Sequence, residues 1–224
     1  MIKAIITDIE GTTTDIHFVH KVLFPYSREK IADYVRANEK NPQLMPVLQD
    51  IRQQLIPGAD LTLITRQLID WIDQDVKNGS LKAIQGFIWQ EGFEKGAFKG
   101  HVYPDAYENL VKWHKQGVAL YIYSSGSVQA QQLLFQYSDF GDLRYLFKGY
   151  FDTTVGGKKE TASYANILKQ IGFTPDEVLF LSDVKAELDA AKANNIRTYL
   201  LDREHIELEI KNHPVAGNFN VIQL

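Results

Sequence analysis

Cysteine is absent from the 224 residues, which excludes a disulfide framework, a thiolate zinc site and a thiol nucleophile. A reducing cytoplasm is the compartment that such a composition leads one to expect. A basic stripe is also missing. Lys and Arg number 24 against 28 Asp and Glu, for a formal net charge of −4, so no nucleic-acid partner is expected, because that affinity rests on clustered cations. No apolar run approaches the ~20 residues that a membrane span requires. The chain opens on a strand pattern that already carries acids, which leaves no room for the regions of a signal peptide. Histidine is sparse. His17 and His20 lie three apart, but no Glu or further His neighbours them to make a zinc site. What is present, 45% hydrophobic and 23% charged residues, is the composition of a globular protein with one sizeable core and an accessory domain.

The first stretch organises the rest. Ala4-Ile5-Ile6 is apolar and rich in β-branched residues, then ends abruptly in Asp8, Glu10, Gly11 and three threonines. It reads as a buried strand that delivers Asp8 to a polar loop, at the edge where open parallel α/β sheets hold their ligands. Two carboxylates separated by one residue and followed by Gly-Thr-Thr suit a Mg²⁺-assisted nucleophile and its acid/base partner. A polar strand end with turn residues has the same look.

Helical spacing then dominates residues 17–38 (around a break at Pro25), 47–56, 61–76 and 81–93, punctuated at Pro57-Gly58 and Asn78-Gly79. So long an insertion after a strand loop reads as a domain of its own. The glycines and Pro104 of residues 96–104 read as a hinge, with residues 15–17 as its other strand. Beyond residue 105, helices at 106–115, 128–135, 161–171, 186–194 and 204–211 alternate with strands at 118–123, 150–155, 178–181, 198–201 and 220–222. The expected fold is α/β, a doubly wound, Rossmann-like parallel sheet with a helical insertion: a discontinuous core of residues 1–16 and 99–224, and an inserted domain of residues 17–98.

Four strand exits each carry a residue type that phosphoryl transfer uses. Asp8 and Glu10 leave the first, Ser124 and Ser125 the second, Lys158 or Lys159 follows the third, and Asp183 leaves the fourth. A parallel sheet points such exits to one edge, so these distant residues converge. Singly, the hydroxyls could be helix caps, either lysine a solvated charge and Asp183 an N-cap.

Asp-x-Glu-Gly-Thr-Thr, the Ser-Ser-Gly-Ser after an apolar strand, Gly-Gly-Lys, and Phe-Leu-Ser-Asp-Val-Lys-Ala-Glu-Leu together resemble the four motifs of the haloacid-dehalogenase-like superfamily. Most phosphatases of that superfamily have Asp where Glu10 stands. Glutamate there, with Leu23-Phe24-Pro25-Tyr26, Gln85-Gly86-Phe87-Ile88-Trp89 and the run from Ser124 to Gln131, is similar to one branch, the bifunctional enolase-phosphatases of methionine salvage.

The resemblance implies Asp8 as nucleophile, Glu10 as acid/base, and Lys158, rather than Lys159, as the fixed cation. It implies phosphate binding by Ser124, Ser125, Gly126 and Lys158. It further implies one Mg²⁺ per subunit, held by Asp8, the backbone carbonyl of Glu10, and Asp183. Glu187, one helical turn beyond Asp183, reads either as a group that orients Lys158 or a metal-bound water from behind or as a solvated helix carboxylate. The implied substrate is 2,3-diketo-5-methylthiopentyl-1-phosphate, enolised and then dephosphorylated to acireductone. The helical insertion would cap the site, with Phe18, Phe24, Phe87 and Trp89 as candidates to meet the methylthio end or to form the insertion's core. A monomer is expected. The competing readings are another small-molecule phosphatase or a dehalogenase of this superfamily, and an inactive binding module with the same fold.

Overall fold

The computed structural model describes residues 1–56, 58–204 and 212–224. Its contacts gather into two compact units, Met1–Ile16 with Lys99–Leu224, and His17–Phe98. Among the described residues no helix is long and apolar enough to cross a membrane.

The first unit is built on a six-stranded sheet: β1 Ala4–Thr7, β2 Ala119–Tyr123, β3 Phe147–Phe151, β4 Val178–Ser182, β5 Arg197–Leu201 and β6 Val215–Ala216. Every pairing is parallel, in the order β3-β2-β1-β4-β5-β6. Every residue of β1, β2 and β4 is buried, as a sheet covered by helices on both faces requires. One face packs Tyr164, Ile167, Leu188 and Ala191 from the helices Thr161–Ile171 and Lys185–Lys192 onto Ile6, Tyr121 and Phe180. The chain steps from β1 to β2 to β3 and then returns to β4 on the other side of β1. That reversal opens a crevice at the carboxyl ends of β1 and β4.

Two of the expected strands differ. The strand expected at 150–155 ends at Phe151, because Asp152 takes the N–H and hydroxyl of Thr154 and turns the chain into the 3₁₀ turn Thr153–Val155. The last strand is Val215–Ala216, not 220–222. Its backbone completes the ladder of β5, whereas Phe219–Val221 is a 3₁₀ turn capped by Asn218, with Phe219 buried against Trp113. The helix expected at 204–211 falls, from residue 205 on, outside the described residues.

The second unit is helical, as its spacing predicts. After the short turn Ile16–Phe18 come Val19–Leu23, Phe24–Ala37, Met45–Gln54, Leu61–Asp73 and Gly79–Glu94. Its interior is a cluster of Ile31, Val35, Leu48, Ile51, Ile64, Leu68, Leu81, Ile84 and Ile88. Asp60 and Asn78 accept the first free N–H groups of the last two helices, the favoured chemistry at an N-cap. Pro25 does not break the helix. The preceding turn, Val19–Leu23, widens to π geometry, so Pro25 falls in the first α-turn after it, where its missing N–H costs no hydrogen bond.

Gly100 sits where the first unit's chain presses on the helix Val128–Gln136. Its N–H meets Tyr137 O at 2.8 Å and its carbonyl takes the Asp139 N–H at 2.9 Å. A Cβ there would overlap the backbone oxygen of Leu134, an atom that no rotamer change can move. Gly100→Ala is expected to cost about 1–3 kcal/mol, measured by urea unfolding.

Candidate active site

Asp8 leaves β1 with its N–H on Leu181 O at 2.9 Å, so the β1–β4 ladder holds its backbone. Thr7 faces Ile122 on one side and Leu181 on the other. Ser124 and Asp183 therefore follow within two residues of the same sheet edge. The turn after Asp8 is knotted on one acceptor, the carbonyl of Ile9, which receives the N–H groups of Thr12, Thr13 and Thr14 at 2.9–3.1 Å. Gly11 makes the turn possible. Its φ is +72°, and any Cβ would overlap the Asp183 carboxylate.

Lys158 comes from the loop after β3. Three hydroxyls take the successive carbonyls of that loop: Tyr123 on Gly156 at 2.9 Å, Ser163 on Gly157 at 2.8 Å and Tyr164 on Lys158 at 2.7 Å. Gly156 itself has φ +127°, a conformation open to glycine. So fixed, the Lys158 ammonium lies 2.6 Å from Asp8 Oδ1 and 2.7 Å from Glu187 Oε2. Glu187 also accepts the Ser182 hydroxyl at 2.8 Å. Asp8, Lys158 and Glu187 are 4%, 8% and 6% exposed; Lys159 is exposed.

Ser124 is buried, and its Oγ accepts the Gly126 N–H at 3.2 Å, which leaves its own proton to donate. The Gln131 amide, buried below, donates to Gly126 O at 2.8 Å and Phe151 O at 2.9 Å. Ser127 caps the helix that follows, and Ser125 is exposed. Glu10 is half-buried, with a backbone bridge to Thr14. The structure thus brings Asp8, Lys158 and Glu187 into direct contact and sets Asp183 against Gly11. Within the helical unit, Phe18 lies edge-on to Phe98, Phe24 stacks on Trp89, and Phe87 packs on the helical core.

The charges do not balance. One ammonium faces the carboxylates of Asp8 and Glu187, with Asp183 nearby. Burial tends to strip the Lys158 proton, but the two adjoining carboxylates win and hold its pKa above the ordinary value. Burial, and then Asp8, raise Glu187. The same two causes push Asp183 up to about 7. Asp183 Oδ1 is buried without a hydrogen-bond partner among the described residues. A buried, unpartnered carboxylate oxygen beside a second acid fits a hard divalent cation. Among the described residues no three His, Asp or Glu side chains gather into a metal cage. Mg²⁺ does not need one, since it binds through one or two carboxylates and keeps several waters.

Sequence reasoning missed Thr12, whose Oγ1 accepts the Asp183 N–H at 3.1 Å, as well as Ser182, Tyr164 and Arg203. The first two lie inside the quoted motifs and could have been weighed. Nothing local in the sequence marks the others.

The model of the haloacid dehalogenase-like hydrolases matches residues 2–195. The chain belongs to this family of hydrolases. Enolase-phosphatases are among its relatives. The chain is 50% identical to the enolase-phosphatase E1 of Serratia proteamaculans and 50% identical to that of Pectobacterium atrosepticum, each over 100% of this chain and 98% of the relative. Among solved structures, the UTR4 protein of Saccharomyces cerevisiae superimposes with a TM-score of 0.81 at 36% identity, over 99% of this chain and 100% of that one.

A raised carboxyl pKa has a definite consequence. The folded chain holds the Asp183 proton more tightly than the unfolded chain does, so metal-free protein gains stability from this group as pH falls from about 7 toward the unfolded value of about 3.9. Urea unfolding in chelator across that window should show the gain. Asp183→Asn should remove it.

Proposed function

We propose that the chain is a Mg²⁺-dependent enolase-phosphatase. It converts 2,3-diketo-5-methylthiopentyl-1-phosphate, by way of its enol, to the dihydroxy-keto-methylthiopentene and phosphate in methionine salvage. One observation carries the reading. A buried Asp8–Lys158–Glu187 cluster lies beside an Asp183 oxygen that has no hydrogen-bond partner among the described residues, in a chain half identical, end to end, to enolase-phosphatases. A dehalogenase also uses an aspartate nucleophile, but the second acid at Asp183 has a use in Mg²⁺ binding that the metal-free reaction lacks.

In the roles we assign, Asp8 attacks phosphorus in line and forms an aspartyl-phosphate as the bond to the leaving oxygen breaks. Glu10 donates a proton to that oxygen. It then takes one from the water that attacks phosphorus, which releases phosphate and restores Asp8. Lys158 orients Asp8 and offsets the repulsion between carboxylate and phosphate dianion. Ser124, the N–H of Ser125 and Gly126 hold phosphate oxygens, and Glu187 keeps the Lys158 ammonium charged and aimed. Asp8, Asp183 and the Glu10 carbonyl would hold one Mg²⁺. When bound, it supplies positive charge to oxygens that become more negative in both enolisation and phosphoryl transfer. The helical unit is assigned as the cap that excludes water. The proposal includes a monomeric enzyme, since none of these roles calls on a residue of a second copy.

Ultraviolet monitoring of the enol and then of acireductone reads the two steps separately. Asp8→Asn should stop dephosphorylation, and chelator should do the same to the parent protein. Glu10→Gln should lower kcat of dephosphorylation by roughly 10²–10⁴. Glu10→Asp, shorter by one methylene, should slow one step more than the other; equal losses would remove any special role for glutamate. Folded protein inactive on this substrate with Mg²⁺ would leave the binding-module reading in its place.

A further inference from the structure

Arg203 lies two residues beyond β5, on the same edge of the sheet as Asp183, and the reaction proposed above gives it no role. Its guanidinium is nonetheless engaged on every nitrogen beside the Asp8 turn. Nε and Nη2 donate to the carbonyl of Thr12 at 3.0 and 2.7 Å. Nη1 donates to both oxygens of Asp105 at 2.8 and 2.9 Å. The plane lies over the Tyr103 ring, 4.0 Å from its centroid, and 5.3 Å from that of Phe219. Side-chain exposure is 9% for Arg203 and 16% for Asp105. Phe219 N–H in turn donates to Asp105 Oδ2 at 2.8 Å, so the acid that orients the guanidinium is itself held.

The residue so gripped is the one that meets Asp183. Thr12 accepts the Asp183 N–H on its hydroxyl while Arg203 holds its carbonyl. Gly11, its neighbour, packs directly against the Asp183 carboxylate. Two ends of one residue thus tie the turn after β1 to the exit of β4 and to the exit of β5. A planar fork is required, because one edge serves Thr12 while the remaining nitrogen serves Asp105. A lysine ammonium could not cover both geometries.

We propose that Arg203 is a positioning residue for the cation site. By fixing the Thr12 carbonyl it sets the distance between the Asp8 turn and Asp183, and thereby the affinity of that pair for Mg²⁺. The inference rests on the enolase-phosphatase reading and adds to it.

The test is calorimetric titration of the whole protein with Mg²⁺ alone, in parallel with kcat and KM on the diketo-phosphate. Arg203→Met should weaken Mg²⁺ binding by about 10–100-fold, the range typical of groups that orient metal ligands. It should lower kcat at fixed Mg²⁺ while KM changes less than about threefold, and Arg203→Lys should recover part of the loss. Asn109→Ala is the structural control. It cuts the bonds from Asn109 to the Asp105 carbonyl and to Asn220 while leaving the Asp105 carboxylate on Arg203 and the contacts of Thr12 in place, and should lower the melting temperature with Mg²⁺ affinity kept within about twofold. Should Arg203→Met fail to fold, Thr12→Val, which removes only the acceptor of the Asp183 N–H, should weaken Mg²⁺ binding in its place. Parental Mg²⁺ affinity in Arg203→Met or Thr12→Val, or an equal loss in Asn109→Ala, would overturn the proposal. A parent protein that takes up no Mg²⁺ would overturn both this inference and the reading beneath it.

Discussion

The Lys158 ammonium is the contact on which the site depends. It is buried between Asp8 and Glu187 at 2.6 and 2.7 Å, and alone it would be costly to bury. It remains charged because two carboxylates flank it, and they remain close to each other because it lies between them. Adding Asp183 tips this corner of the first unit toward net negative charge; burial first, and then the Asp8 carboxylate, raise the pKa values of Asp183 and Glu187. A divalent cation and a phosphate dianion brought together would rebalance it. On this account the excess of carboxylates over cations here is a binding capacity for both ligands.

Holding such a cluster takes rigid backbone. The parallel sheet supplies it for Asp8 and Asp183, which leave the adjacent strands β1 and β4 where the strand order reverses. The Lys158 loop lies on β3, farther from that centre, and is fixed differently, with the hydroxyls of Tyr123, Ser163 and Tyr164 on three consecutive carbonyls. Each of those bonds contributes about 1 kcal/mol net; their larger effect is to leave the loop a single conformation. The Asp8 turn is fixed from inside by the Ile9 carbonyl and from outside by Arg203.

Much of this was legible in the chain itself. Apolar runs ending in acids or hydroxyls marked β1, β2 and β4, because a strand buried on both faces has to be apolar throughout. The helices of residues 17–98 were marked by spacing, although Pro25 was misread, since a widened turn that absorbs a proline has no sequence signature. Val215–Ala216 was missed because a two-residue edge strand is defined by the ladder it joins. The choice between Lys158 and Lys159 was open on local grounds, as both follow the same glycine pair; burial distinguishes them only once the loop is folded. Arg203 was invisible for the same reason. Its partners Thr12 and Asp105 lie 191 and 98 residues away in the chain.

The proposed cation site is a single one, held by Asp8 and Asp183 beside Lys158. It is tested most directly by anomalous diffraction from crystals of the protein grown with Mn²⁺ in place of Mg²⁺ and soaked with inorganic phosphate. The account predicts one anomalous peak within about 2.0–2.2 Å of a carboxylate oxygen from each of Asp8 and Asp183, with phosphate density beside Lys158. A peak out of reach of either carboxylate, or none at saturating metal, would contradict it.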